Sequence, residues 1–301
     1  MNPPPTLALL FALLAATLMG TIGVFARFAT LPAEHITFYR LLLGALFLMV
    51  YMLLTGKGQQ IRHKPSKRTL INGAMLAGFM AFYIEAIQYT QMATVIMIIY
   101  LAPVVASLFA HFVFNERLNR FSMASVVLAL AGFILMLPVT SSQSLYNSEI
   151  LGYFYALLSL LTYSGFILIN RKPSAASPYQ STLVQLGVGA LCLLPLVLIT
   201  PLVPSLNQFA WLLAIGFFPG FLAILFAVKA LNQLPSITYG ALSYVEPVVA
   251  VTLAWWLFNE TLTAQQLIGV ALIMLAGIAQ GWLSQYKALK SSENPSVCHH
   301  E

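Results

Sequence analysis

The chain has 301 residues, 60% of them hydrophobic and only 7% charged, with a mean hydropathy of +0.87, against about 25% charged in an ordinary soluble domain. That composition excludes a soluble globular protein and describes an integral membrane one. Its excess of basic residues, +6 overall, is explained by membrane orientation rather than by nucleic acid, because the Lys and Arg residues cluster between apolar runs.

The start, Met1-Asn-Pro-Pro-Pro5, leads directly into an apolar run from Thr6 to about Phe25, without the basic segment and small-residue site of a cleaved signal. Further runs long enough to cross a bilayer fall at about 35–54, 70–90, 93–114, 121–138, 150–170, 180–200, 208–228, 236–258 and 265–285. The reading is an all-α integral membrane protein of ten transmembrane helices. Links as short as Gln91-Met92 leave neighbouring helices antiparallel, so an up-and-down bundle follows. Thr263-Ala-Gln-Gln266 has the spacing of a capping box for the last helix, and Asn119 is placed to cap the fifth.

Two stretches repeat one another. Tyr100-Leu-Ala-Pro103-Val-Val-Ala106, running to Asn115-Glu116, is echoed 144 residues later by Tyr244-Val-Glu246-Pro247-Val-Val-Ala250, running to Asn259-Glu260. Proline in a long apolar run removes one helical hydrogen bond, so Pro103 and Pro247 predict matching helix breaks. The duplication predicts two repeats, 6–138 and 150–285, joined by the polar stretch 140–148.

The basic residues orient them. With a cytoplasmic N-terminus the inner connections hold Lys57, Arg62, Lys64, Lys67 and Arg68, then Arg117, Arg120, Arg171 and Lys172, and the tail holds Lys287 and Lys290; Arg27 is the basic residue of the outer connections. Both termini are therefore expected in the cytoplasm of a bacterial-type cell. Five helices per repeat is odd, so the second repeat is expected upside down relative to the first.

The matching pieces Leu242-Ser-Tyr-Val-Glu-Pro-Val-Val, Trp256-Leu-Phe-Asn-Glu-Thr-Leu, Lys229-Ala-Leu and Phe38-Tyr-Arg40 resemble the EamA branch of the drug/metabolite transporter superfamily. The resemblance covers nearly the whole chain. It implies a secondary transporter of the inner membrane working by alternating access, with export of an amino acid or related metabolite as the first expectation and import of a vitamin-like solute such as riboflavin as the alternative. It also implies a site near the midplane between the repeats.

Ionisable residues at membrane depth each cost about 2.5–3.5 kcal/mol on insertion scales and so mark candidate chemistry. Arg40 and Glu85 fall at one depth on neighbouring helices, and pair either as a structural ion pair or as an anchor for a zwitterionic or anionic substrate. Glu246, beside Pro247 and the carbonyl freed by it, is a candidate substrate or proton ligand, or a carboxylate satisfied within the bundle; its repeat equivalent is Ala102, so repeat geometry does not require the charge. Glu246 and Glu85 are the candidates for proton coupling. Lys229, equivalent to Glu85, either snorkels to the inner interface or forms an inner counterpart of that cluster. Tyr83, Tyr100, Tyr163, Tyr239 and Tyr244 lie inside spans, and Tyr100, Tyr163 and Tyr244 are taken as substrate-lining candidates, with core packing as the alternative for each. His111 is read as a packing residue.

Gly277-x-x-x-Gly281 has helix-packing spacing, compatible with an intramolecular contact or a weak homodimer. Cys192 and Cys298, with His299 and His300, offer no disulfide framework and no metal-ligand spacing. No Walker lysine loop, no His-Glu-x-x-His and no Asp of any kind occurs in the sequence. The expectation is a non-enzymatic membrane protein without metal or cofactor, whose partners are a small solute, lipid and, through the two carboxylates, protons; a channel or scaffold is the competing reading.

Overall fold

A computed structural model describes residues 5–62, 64–90, 92–114, 120–136, 147–171, 177–259 and 263–293. The Asn-Glu stops at Glu116 and Glu260, the cap Asn119, the 140–146 stretch and the tail holding Cys298 lie outside them. Within the described residues the chain is helical: α1 (Pro5–Gly20), α2 (Ile22–Ala29), α3 (Ala33–Leu54), α4 (Lys67–Tyr89), α5 (Met92–Ile99), α6 (Ala102–Phe114), α7 (Arg120–Met136), α8 (Asn147–Arg171), α9 (Pro178–Ile199), α10 (Leu206–Ile215), α11 (Ala223–Leu231), α12 (Ser236–Ser243), α13 (Val245–Phe258) and α14 (Ala264–Glu293). Seven helical stretches are long and apolar enough to cross a membrane, and shorter apolar segments lie within α7 and α14. Among the described residues, helical segments fall in each of the ten predicted stretches, seven of them long enough to cross a membrane.

Local chemistry sets the ends. The Ser66 hydroxyl accepts from the Thr69 amide to open α4, Ser177 followed by Pro178 opens α9, and Ser205 with Gln208 closes a capping box on α10. The duplication is visible in the elements: α5, shifted by 144 residues, is α12, and α6 so shifted falls within one residue of α13. Two helices pack directly on their own equivalents, α3 on α9 and α7 on α14, as elements beside a two-fold axis must. Phe112, Phe121, Trp256 and Trp282 project from the bundle, which in water would be a liability and in lipid is not.

Both predicted breaks are present, each three residues before its proline. Turn residues Tyr100 and Leu101 separate α5 from α6, and Tyr244 separates α12 from α13. The proline nitrogen cannot bond the carbonyl four residues earlier, so the helix ends there and restarts with proline in its first turn. Two irregularities were not predicted. The first span bends at Gly20-Thr21, where a side chain on Gly20 would meet the Glu246 carbonyl oxygen at 2.7 Å. The eighth opens into a π-helical stretch, Gly216–Leu222, around Pro219, and Gly216 and Gly220 let the α3 backbone at Leu43 and Arg40 approach in direct contact. A side chain added at Gly277 would meet nothing within 4 Å, so that glycine is not required for a close approach; close packing of α14 on α7 uses Gly132 against Gly269 instead.

Candidate functional site

The two breaks meet. The Tyr244 hydroxyl donates a 2.6 Å hydrogen bond to the Tyr100 carbonyl, joining residues 144 apart, and the rings lie 5.8 Å apart. The next carbonyl but one, that of Ala102, accepts from the Ser164 hydroxyl at 3.2 Å. Backbone groups released by an interrupted membrane helix need such partners, because lipid supplies none. The Ser164 hydroxyl shares its proton with the Leu160 carbonyl of its own helix at 2.8 Å, so the Tyr244 hydroxyl is the stronger of the two links across the break.

Beside it lies a cavity of about 110 Å³, roughly tenfold the 10–15 Å³ that admits one water. α1 contributes Ala15, Ala16 and Met19, α3 Arg40, α4 Leu76, Phe79 and Met80, α8 Tyr163 and Phe166, α11 Ile224 and Ala227, and the broken pairs Ile99, Tyr100, Tyr239, Ser243 and Glu246. Both repeats thus build it, and Arg40 and Glu246 are the charged residues of its wall. The two interact electrostatically, and Tyr100 and Glu246 line the same cavity. Yet no ion pair within 4.0 Å joins them among the described residues. Arg40 Nη2 donates to the thioether of Met19 at 3.1 Å, a weak acceptor, and Arg40 Nε is buried without any partner. Opposite charges face one cavity with bonding capacity unspent. Phe79 and Tyr163 stack at 4.5 Å to give its aromatic wall.

Of the residues predicted from sequence, Arg40, Tyr100, Tyr163 and Glu246 come together here, and buried Tyr244 braces them. The predicted pairing of Arg40 with Glu85 is replaced: the acidic neighbour of Arg40 is Glu246, while Glu85 is half-buried on α4 away from the cavity wall. Lys229 lies outside the wall as well, hydrogen-bonded to the Tyr179 hydroxyl at 3.1 Å. Pro103 and Pro247 stand in the first turns after the breaks rather than at them. His111 packs edge-on against Phe112. Met19 was missed, although it is the 144-residue equivalent of Tyr163 and symmetry could have found it; Ser243 was passed over except for its carbonyl.

Broken helices pairing across two halves around a buried charged cavity define a membrane protein of transporter type. The chain belongs to the EamA-like transporter family, whose profile matches residues 6–137 and again 150–280. An uncharacterized transporter of Archaeoglobus fulgidus is 30% identical over 89% of this chain and 94% of its own. The pseudopaline exporter CntI of Pseudomonas aeruginosa is 26% identical over 83% and 87%, and an S-adenosylmethionine uptake transporter of Rickettsia prowazekii is 22% identical over 76% of each chain. A crystal structure sharing 22% identity superposes with a TM-score of 0.82 over 92% of this chain and 98% of the other, which shows the fold. The protein is a multi-pass membrane protein of a family of small-molecule transporters.

Proposed function

We propose that the protein is a secondary transporter that exports a small zwitterionic metabolite, an amino acid or a derivative, across the bacterial inner membrane. The observation that carries this reading is that Arg40 and Glu246 line one cavity without an ion pair within 4.0 Å. A carboxylate takes the unspent guanidinium donors of Arg40, an ammonium takes Glu246 beside Tyr100, and Phe79 and Tyr163 cover the apolar remainder. A lone charge in this position costs several kcal/mol, and a solute bearing both signs relieves two such costs at once. In the absence of solute a proton on Glu246 serves the same end, which couples the empty and loaded states to the proton gradient.

The same reading has two inverted five-helix repeats, 6–138 and 150–285, rocking about the paired breaks, with both termini cytoplasmic. Symmetric packing of α3 on α9 and of α7 on α14 supports it. Cysteines introduced at Gln59 and Ser144 should label from inside and outside respectively; labelling of position 59 by an impermeant reagent in intact cells would remove the inverted arrangement. Uptake is the second reading for direction, favoured by the Rickettsia relative.

The cavity reading is tested by thermal stabilisation of the purified protein with a panel of amino acids, matched amines and matched carboxylic acids. A zwitterion should stabilise the wild type and lose its effect in Arg40→Gln. Equal stabilisation by amines that lack a carboxylate would reject the assignment of Arg40.

A further inference from the structure

A second charged cluster lies where α3 ends and α9 begins. Lys57 Nζ sits 3.8 Å from the centre of the Tyr179 ring and 5.3 Å from that of Tyr51. Lys229 Nζ sits 4.6 Å from the same Tyr179 ring, 5.0 Å from Phe11, and 3.1 Å from the Tyr179 hydroxyl. The 3-10 turn Gly58–Arg62 is fastened to this corner by the Ser177 hydroxyl, which donates to Gln60 Oε1 at 2.7 Å. Two ammonium groups therefore share one tyrosine, each on a separate element, in a fixed frame of Tyr51, Tyr179 and Phe11.

Two like charges on one ring repel, and aromatic faces offset only about 0.5–2 kcal/mol of that. Among the described residues no carboxylate lies within 4.0 Å of either lysine. Each ammonium carries three donors; Lys229 places one on Tyr179, and Lys57 interacts with the Tyr179 and Tyr51 hydroxyls. The cluster also has an address. Phe11 precedes the cavity residue Ala15 by four positions on α1, about 6 Å along the axis, and Lys229 follows the cavity residue Ala227 by two positions on α11, about 3 Å.

We propose that Lys57, Lys229 and Tyr179 form an oxyanion site, a receptor for a carboxylate or phosphate group beside the 55–66 connection. An oxyanion between the two ammonium groups accepts from both, and the Tyr179 hydroxyl, whose oxygen accepts from Lys229, donates its proton to the same anion. Tyr51 and Phe11 turn their ring faces to the two ammonium groups and so limit the guest to a group of small cross-section. Tyr179 also holds the Lys57 ammonium above its ordinary pKa by hydrogen bonding. The shift is upward, so the charge is complete at neutral pH and is lost only as pH rises through the raised value. The inference does not depend on the transport reading, because its test measures anion binding and not movement of solute.

The test titrates inorganic phosphate into the full-length protein in a neutral detergent, at ionic strength held constant with chloride, and follows the thermal midpoint. Phosphate should stabilise the wild type saturably, and Lys57→Gln and Lys229→Gln should each raise the half-saturating concentration about tenfold, a loss of roughly 1.4 kcal/mol. Lys229→Arg should recover most of it and Tyr179→Phe should lie between. Arg40→Gln, in the central cavity, should leave phosphate binding unchanged while abolishing the zwitterion effect described above, so either idea can fail alone. A parallel native mass measurement distinguishes the source of the anion: co-purified phosphatidylglycerol that is retained by wild type and lost from both glutamine variants assigns the site to a lipid headgroup, and its absence assigns it to a free solute. Identical phosphate dependence in wild type and both glutamine variants would overturn the site. Circular dichroism at the same temperatures excludes misfolding as the cause of any loss.

Discussion

The break at Tyr100 and the break at Tyr244 are built alike and equipped differently. Each follows from a proline at the same register, each places a tyrosine at the gap, and the two bond one another. After the first break comes Ala102, buried, its carbonyl held by Ser164; after the second comes Glu246, at the cavity beside Arg40. Arg40 has Val184 as its own equivalent, so neither charge is repeated. The backbone of the site is duplicated and its chemistry is not. A residue that the fold needs should recur in both copies, whereas one used by a single asymmetric solute need occur only once. The comparison therefore separates scaffold from ligand chemistry without reference to any other protein.

Exchanging the chemistry between the copies should have the largest effect. Glu246→Gln keeps shape and removes the charge; the expected outcome is a folded protein at normal abundance whose transport falls by about two orders of magnitude, the scale of one lost charge-assisted contact of about 3 kcal/mol. What transport remains should have a flattened pH dependence. Adding Ala102→Glu should not rescue it, because Ala102 is buried and Ser164 already occupies its neighbourhood. Comparable transport by wild type and Glu246→Gln over about pH 5.5 to 8 would return Glu246 to a packing role.

The partner charge gives the next effect, read as stability. Arg40→Leu leaves Glu246 as an uncompensated charge and should cost about 3–5 kcal/mol of stability, seen as lost folded yield. Arg40→Leu with Glu246→Leu should regain much of that yield and no transport. If the double variant is no more stable than the single one, the two charges are independent and the zwitterion reading fails with them.

The scaffold should respond differently from the chemistry. Tyr244→Phe deletes the 2.6 Å bond that joins the breaks and leaves the Tyr100 carbonyl short of a partner, a loss of about 1–3 kcal/mol that a thermal midpoint detects. Tyr100→Phe keeps that carbonyl as acceptor and removes only the hydroxyl near Glu246, so it should spare stability and weaken solute binding. A reversal of the two phenotypes would mean that the roles of brace and ligand have been assigned to the wrong tyrosines.

Much of this was legible in the chain itself. The passages were readable because a membrane span must be a long apolar run, and both breaks were readable because proline has one consequence in a helix and occurred twice in register. Glu246 was readable because a carboxylate there has no cheap explanation. The pairing was not. Arg40 was matched with Glu85 on depth alone, and depth carries no azimuth: the contact of α3 with the Gly216–Leu222 stretch sets the Arg40 backbone against Gly220, and the acidic residue it then faces is Glu246. The π-helical stretch escaped notice because Phe217-Phe218-Pro219-Gly220 reads as a continuous apolar run, and the Gly20 bend because its cause lies 226 positions away at the Glu246 carbonyl.

Glu85 supplies the smallest effect and the sharpest control. It and Lys229 are equivalent positions that carry opposite charges, yet neither lines the cavity. Lys229 has a defined partner in Tyr179 and Glu85 takes no part in the wall, so the two should behave unequally. Glu85→Gln should change central zwitterion binding and transport by no more than about twofold, within the roughly 0.5 kcal/mol expected of a substitution away from a functional contact. Lys229→Gln should leave the central affinity equally unaffected while weakening phosphate binding about tenfold. Measured side by side with Glu246→Gln, the pair asks whether membrane depth or cavity lining marks a functional charge. A large loss in Glu85→Gln, with normal abundance and unchanged phosphate binding, would say that depth is the better guide, and would make Glu85 rather than Glu246 the carboxylate on which coupling turns.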